Sequence, residues 1–303
     1  MQRIVFASGK GGTGKTTLTA LTARLLGDGG AEVALADCDV EAANLPIAFG
    51  ARATSREPFT GGSKAVIDSE ACTGCGACAS VCRFDALGPD ADYYRTRVYA
   101  VDSWACEGCG ACVPACPSGA ITMEQTQAGQ VIAAETSIGP MVYGRLAPGE
   151  DLSGKLVTEV RRQADEVAAD RGIERMWIDG PPGVGCPAIA AITGTDVVVG
   201  VTEPTLSGEH DLMRLVTLAR RFKIPVAVVL NKADLSAEGA QRVRDRLAAE
   251  QLELIAEIPY DPALAQIPGR LARGEECAYP ETPGMDAVRT VAGWLASRGE
   301  SDG

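Results

Sequence analysis

The chain has 303 residues, 46% hydrophobic and 22% charged, with a net charge of −12. A length of this order predicts about two domains with a sizeable core. The acid excess argues against nucleic acid as a partner, since a general binder needs a dominant basic surface. No apolar run reaches the length of a membrane span, so no membrane anchor of that kind is expected.

Residues 2–7 (QRIVFA) read as a buried strand. A leader is therefore not expected, and the chain is expected to be cytoplasmic. The strand runs into Ser8-Gly9-Lys10-Gly11-Gly12-Thr13-Gly14-Lys15-Thr16-Thr17, after which Leu18, Leu21 and Leu25 mark one face of a helix. Strand, glycine loop, Lys-Thr and helix form the context of a phosphate-binding loop. Glycines let backbone N–H groups converge on phosphate oxygens, and the helix N-terminus adds partial positive charge. Lys15 is placed to reach the β- and γ-phosphates and Thr16 to ligate Mg²⁺. Gly9, Gly11, Gly12, Thr13, Gly14 and Thr17 complete the cradle. Lys10 is a second lysine on the same loop.

Residues 32–37 form the next strand, ending in Asp37-Cys38-Asp39. Acids at the C-terminal end of a parallel strand sit where open α/β sheets bind ligands. Asp39 is alternatively a cap for the turn that follows. Cys38 reads as a small buried residue. Residues 50–64 lose periodicity and turn polar around Pro58, Gly61 and Gly62, which reads as a linker into an insertion.

Eleven cysteines are too many for incidental core packing, and a reducing compartment disfavours disulfides. Their spacing decides. Ala71-Cys72-Thr73-Gly74-Cys75-Gly76-Ala77-Cys78 recurs 34 residues later as Ala105-Cys106-Glu107-Gly108-Cys109-Gly110-Ala111-Cys112, and each copy adds a cysteine four residues on, Cys82 and Cys116. The run resembles that of bacterial two-cluster ferredoxins, in which three close cysteines hold one [4Fe–4S] cube and the fourth ligates the other cube. On that resemblance Cys72, Cys75, Cys78 and Cys116 hold cluster one, and Cys106, Cys109, Cys112 and Cys82 hold cluster two. Zinc more often takes two separated C-x2-C pairs. Pro117 follows Cys116 as the ferredoxin pattern requires, but Arg83 follows Cys82, where a guanidinium favours the reduced cluster.

Short strands are expected at 131–133 and 141–143, around Gly139-Pro140. Ser153 caps a helix with Leu156, Val160, Ala164 and Val167 on one face. Residues 175–179 form a core strand ending at Asp179, a second acid suited to hold Mg²⁺ through water. It leads into Gly180-Pro181-Pro182-Gly183. Strands follow at 196–201 and 225–230, around a helix marked by Leu212, Leu215, Val216 and Ala219. His210 is the single histidine and reads as a polar group at the start of that helix. Asn231-Lys232-Ala233-Asp234 follows a strand, as base-recognition motifs do, though an Asx turn has the same composition. Ile258-Pro259-Tyr260-Asp261 precedes a C-terminal region whose last helix carries Met285, Val288, Val291, Ala292 and Leu295. Its polar face is too poor in Lys and Arg for a membrane anchor. Cys277 has no readable role.

The two-lysine loop resembles the deviant Walker A motif of the MinD/ParA superfamily, which includes the nitrogenase iron protein and the Mrp-type iron–sulfur assembly ATPases. The resemblance implies an ATP-dependent homodimer in which Lys10 crosses to the partner's nucleotide. It implies that Asp37 and Asp179 hold the Mg²⁺ water shell and that Asp39 positions the attacking water. Gly180 is then the switch residue offering its N–H to the γ-phosphate. Asn231 and Asp234 lie at the adenine, with Pro259 on its other side. Cys186 matches a cluster-ligating cysteine of the iron protein, but that protein's second ligand has no counterpart, so a sensor, relay or packing role is expected.

The fold implied is α/β, a mostly parallel doubly wound sheet with an inserted small α+β ferredoxin-like domain. Its bounds are 1–62 and 127–303 for the ATPase and 63–126 for the insertion. The implied cofactors are ATP, Mg²⁺ and two [4Fe–4S] clusters. Two functions compete. One is ATP-gated electron transfer to an unidentified redox partner. The other is an iron–sulfur carrier of the Mrp type with an iron–sulfur acceptor. Four thiolates per cube, and no C-terminal CPxC pair, favour the first.

Overall fold

Ile4–Ala7 carry no polar side chain and are almost completely buried, which puts the first strand at the centre of a sheet. The computed structural model describes residues 1–273, 275 and 278–298. The chain begins with β1 (Gln2–Ser8), α1 (Lys15–Asp28), β2 (Ala34–Asp37), α2 (Leu45–Ala48) and β3 (Arg52–Ile67). It continues through α3 (Ala77–Val81), β4 (Leu87–Pro89), α4 (Tyr93–Thr96), β5 (Tyr99–Val101), α5 (Cys112–Ala115) and β6 (Ile121–Thr136). Then come β7 (Gly139–Leu146), α6 (Ser153–Asp170), β8 (Arg175–Pro182), α7 (Cys186–Ile192), β9 (Val197–Thr202) and α8 (Leu206–Arg221). The remainder is β10 (Val226–Asn231), a 3-10 turn at Ala233–Leu235, α9 (Ala237–Ala249), β11 (Glu253–Ile258), α10 (Pro262–Ala272) and α11 (Pro283–Ser297).

The main sheet has the order β11-β10-β9-β1-β8-β2-β7-β6-β3. The strands from β7 across to β11 pair in parallel, and the crossovers are helical, as parallel neighbours require. The expected α/β architecture with a mostly parallel sheet is therefore present. Two compact units divide the chain. One comprises Met1–Glu57, Val131–Leu146 and Ser153–Gly303, and the other Pro58–Gln130 with Ala147–Leu152.

In the first unit, Phe6, Leu18, Leu21, Trp177 and Val199 meet in the core with Met285, Val288, Val291 and Leu295 of α11. The C-terminal helix thus docks its apolar face on the domain. No helix among the described residues is long and apolar enough to cross a membrane. In the second unit, Ala65, Cys78, Leu87, Cys112 and Ile121 form a small core of their own, beside the antiparallel pair β4–β5.

Two sequence expectations are corrected. The segment 50–64, read as a linker, is largely strand: β3 runs sixteen residues. It is an edge strand with an exposed first half, so it lacks alternation, and Pro58 is tolerated because edge N–H groups need no partner. The short strand expected at 131–133 is the end of the sixteen-residue β6. Cys277 lies outside the described residues.

Candidate functional site

The parallel register lines up the acids. Asp37 of β2 stands opposite Asp179 of β8, and Asp179 stands opposite Phe6 of β1. Both carboxylates are thus carried, fully buried, to the level where β1 turns into the glycine loop. Lys15 Nζ donates to Asp179 Oδ1 at 2.8 Å, Thr16 Oγ1 to Asp179 Oδ2 at 2.6 Å, and Thr19 Oγ1 to Asp179 Oδ1 at 3.3 Å. Asp37 accepts from the backbone N–H groups of Asp39 (3.0 Å) and Leu45 (2.9 Å).

Burial, and then the charge of Asp179, push the Asp37 carboxyl well above its usual 3.8. Burial also raises Asp39, with Lys15 pulling the other way. Burial works to lower the Lys15 ammonium, but Asp179, Asp37 and Asp39 outweigh it and the net shift is upward. One lysine therefore faces three carboxylates. A hydroxyl and acid oxygens short of positive charge are the donor set that suits Mg²⁺.

The loop opens on a cleft of about 470 Å³, lined by Gly11–Leu18, Asp39, Pro182, Asn231, Lys232 and Pro259–Asp261. A cleft this size admits a nucleotide. The Thr13 hydroxyl is buried there without a hydrogen-bond partner. Gly12 and Gly14 adopt φ of +80° and +90°, which L side chains resist. Asn231 Nδ2 donates to Thr13 O at 2.7 Å, so this side chain braces the phosphate loop. Asp234 accepts from the Tyr260 N–H at 2.6 Å and ties the loops after β10 and β11 together. Pro259 lines the cleft.

Other expected residues sit further back. Gly9 packs on α8, where an added Cβ would lie 2.2 Å from Asp211 Cβ. Gly180 lies inside β8, its Cα facing Phe6 O so closely that a Cβ would come within 2.8 Å. The turn begins at Gly183, whose N–H donates to Ser8 O at 2.9 Å. Cys186 is exposed at the start of α7, and Cys38 is fully buried. His210 falls inside α8 with an exposed side chain.

Glu203, Lys232 and Arg161 were not singled out by sequence. Lys10 Nζ pairs with Glu203 Oε2 at 3.0 Å, and Lys232 Nζ pairs with Glu203 Oε1 at 2.5 Å. Lys232 also donates to Gly12 O at 3.1 Å. Glu203 thus holds two lysines beside the phosphate loop of its own chain. The third is Arg161 of α6, buried, whose guanidinium donates to the carbonyls of Ala190, Ala191 and Thr193. A cation on the last carbonyls of α7 suits that helix end.

The second unit gathers the eight repeat cysteines into two sets. Cys72, Cys75, Cys78 and Cys116 line one small hollow. Cys82, Cys106, Cys109 and Cys112 line another. Each takes three thiols from one copy and one from the other.

The repeat is also one of structure. Cys72 N–H donates to Asp68 O, and Cys106 N–H to Asp102 O, both at 3.0 Å. Asp68 N–H donates to Ala120 O, and Asp102 N–H to Ala86 O, both at 2.8 Å. Gly74, Gly76, Gly108 and Gly110 all have φ between +66° and +77°. A Cβ on Gly74 would lie 2.1 Å from Arg97 O, and one on Gly108 2.0 Å from Ser63 O. Among the described residues no three Cys, His, Asp or Glu side chains converge on a single ion position. The thiolates of a cubane bind separate irons, so a cubane set needs no such convergence. Thiolate-lined hollows with glycine turns are chemistry that fits iron–sulfur cubes.

A glycine loop between strand and helix, with two buried acids in the adjacent strands, defines a P-loop nucleotide-binding protein. The chain belongs to the CobQ/CobB/MinD/ParA nucleotide-binding domain family, whose match covers residues 4–272. In sequence it is similar to MJ0578 of Methanocaldococcus jannaschii, an uncharacterized protein, at 35% identity over 78% of this chain and 80% of that one. It is similar to MJ0547 of the same organism, an uncharacterized ATP-binding protein, at 25% identity over 96% of this chain and 86% of that one. In structure it is similar to the cell division ATPase MinD of Pyrococcus furiosus, with TM-score 0.58 and 21% identity over 98% of this chain and 100% of that one. The septum site-determining protein MinD of Pyrococcus horikoshii, solved with Mg-ADP, gives 0.57 and 20% over 99% of each chain. These two likenesses are of fold.

Proposed function

We propose that this chain is an ATP-hydrolysing iron–sulfur protein that works as an ATP-dependent homodimer and couples the nucleotide cycle to electron transfer to a redox partner protein. The observation that carries the reading is the crossed sorting of eight thiols into two sets of four, in one chain with a P-loop. When bound, [4Fe–4S] clusters supply one-electron chemistry. A set of four thiolates drawn from both copies holds a cube permanently, which suits a relay better than a cluster handed on.

The residues divide the work. The loop N–H groups and Lys15 bind the phosphates. Thr16, Asp37 and Asp179 hold Mg²⁺ and its water. Asp39, at the rim of the cleft, orients the attacking water. Asn231 and Pro259 flank the base. Lys10 leaves Glu203 to reach the nucleotide of a second copy, and the end of β8 from Gly180, with the Gly183–Gly185 turn that follows it, carries the response.

The test is anaerobic. Reduced protein is expected to show cubane iron for two clusters, and its rate of reducing a partner or dye is expected to depend on ATP and to lose that dependence in Lys10→Ala. Absence of cubane iron, or identical rates without nucleotide, with ADP and with a non-hydrolysable ATP analogue, sinks the reading. Transfer of an intact cluster to an apo-acceptor, faster than from free iron and sulfide, establishes the carrier instead.

A further inference from the structure

The 34-residue offset relates the walls of the two hollows position by position. It carries Cys72 onto Cys106, Gly76 onto Gly110, Ala86 onto Ala120 and Leu87 onto Ile121, and each of these residues lines its own hollow. The backbone keeps the correspondence: Asp85 and Gly119, one offset apart, have φ of +51° and +65°. Three paired wall positions nevertheless differ in chemistry. Thr73, Tyr99 and Ser118 line the hollow of Cys72, Cys75, Cys78 and Cys116. Glu107, Ala65 and Phe84 stand at the equivalent places in the hollow of Cys82, Cys106, Cys109 and Cys112. One site has three hydroxyls where the other has a carboxylate and two hydrocarbon side chains.

Two of the hydroxyls are placed by contacts. Ser118 Oγ lies 3.5 Å from Cys116 Sγ, and the Ala120 N–H donates to the same sulfur at 3.3 Å. A thiolate has no proton to give, so towards a metal-bound Cys116 the Ser118 hydroxyl is the donor. Tyr99 sets its hydroxyl over Gly76, where an added Cβ would come within 2.9 Å of it. The Tyr99 ring meets Tyr93 edge-on, with centroids 5.6 Å apart, and Tyr93 donates to Gly74 O at 3.2 Å. In the other hollow, Phe84 has no proton to donate at the place of Ser118, and Ala65 is buried carbon at the place of Tyr99.

These differences act in one direction. Reducing a cube adds negative charge. Hydrogen bonds to its sulfurs favour that charge and raise the potential, whereas an apolar wall and a nearby carboxylate lower it. Glu107 is exposed, so water and salt screen it, and the hydroxyls carry the larger share. Cations further out do not reverse the order. Lys64 is paired with Glu150 at 3.1 Å. Arg83, expected from sequence to favour reduction beside Cys82, is exposed and lines neither hollow.

We infer that the two sites are unequal: the site of Cys72, Cys75, Cys78 and Cys116 has the higher potential, set by Ser118, Tyr99 and Thr73, and holds the first electron to enter the unit. The site of Cys82, Cys106, Cys109 and Cys112 is the lower one. An electron arriving there passes to the higher site. One bound cube is oxidised as the other is reduced, one electron for one, with no proton and no co-reactant. Ser118, Tyr99 and Thr73 are positioning residues and hold no iron. The inference rests on the reading of the thiol sets as cube sites proposed above.

The experiment is an anaerobic redox titration of the full-length, iron-loaded chain, followed by electron spin resonance. Wild type is expected to reduce in two one-electron steps, the first site favoured about tenfold or more, which is about 59 mV. Ser118→Ala and Tyr99→Phe are expected to lower the higher step and leave the lower step and the iron content unchanged. Phe84→Ser and Glu107→Thr are expected to raise the lower step and leave the higher. If Ser118→Ala loses iron, the Phe84 and Glu107 variants decide from the opposite site. Coincident steps in wild type overturn the inference. So does a shift of the lower step in Ser118→Ala, or of the higher step in Phe84→Ser, or no shift in any variant. Those outcomes leave the cube reading standing, because both steps need bound cubes. Absence of cubane iron removes that reading and the inference together.

Discussion

Asp37 and Asp179 face each other across two parallel strands with one ammonium close by, and this has a consequence in pH. Burial and the neighbouring charge raise the Asp37 carboxyl above its usual 3.8, so ionising it is harder in the fold than in the unfolded chain. A raised acid contributes stability that is complete below the unfolded value and is lost as pH rises through the folded one. Without metal or nucleotide, the Asp37 contribution is therefore expected to be lost as pH rises above 3.8, so that the melting temperature of the wild type falls relative to that of Asp37→Asn. Mg²⁺ with nucleotide flattens that relative fall, because a cation favours both ionised acids. Thermal scans across pH at fixed ionic strength check this; equal slopes in the two proteins contradict it. Glu203 gives a second expectation. Its bridge to Lys10 is partly exposed, and such bridges contribute about 0.5–1 kcal/mol. If Lys10 must leave Glu203 before two chains associate, Glu203→Gln is expected to tighten ATP-dependent dimerisation by about two- to fivefold at that energy. Sedimentation against ATP concentration reads it, and weaker association speaks against the bridge as a restraint.

Among the elements, the glycine turns of the cysteine copies differ in what they tolerate. Gly108 and Gly110 both lie at positive φ, but a Cβ at Gly108 strikes the Ser63 carbonyl, whereas at Gly110 it meets nothing within 4 Å. Gly110→Ala is expected to cost about 1–2 kcal/mol of backbone strain, and Gly108→Ala clearly more, seen as lost iron content and a lower melting temperature. Equal losses would mean that the loop yields freely. The same level shows what a reader of the sequence can extract. Asp37, Asp179, Lys15 and Thr16 were legible because a strand–loop–helix pattern carries them and the parallel register does the rest. The cysteine copies were legible from spacing. β3 was not, because an edge strand facing water on its first half has no apolar alternation to betray it. Glu203 was not, because its partners, Lys10 and Lys232, come to it only when β1, β9 and β10 lie side by side.

For the whole molecule, two compact units in one chain imply two separable transitions. The small core of the second unit includes Cys78 and Cys112 themselves, so on the proposed reading its folding depends on bound iron. Anaerobic chelation of the full chain is expected to open 58–130 to protease while nucleotide binding at Lys15 persists. A single cooperative loss of both would tie the units together more tightly than their separate cores suggest.

The crossing of the thiols has a corollary for any fragment of the chain. Neither copy of the repeat owns a full complement: each keeps three sulfurs for its own hollow and lends the fourth to its sibling. A peptide of one copy alone would be a three-legged holder, complete only when two such peptides embrace. On the proposed reading, joining the two in one chain makes the loan permanent, and neither half serves by itself.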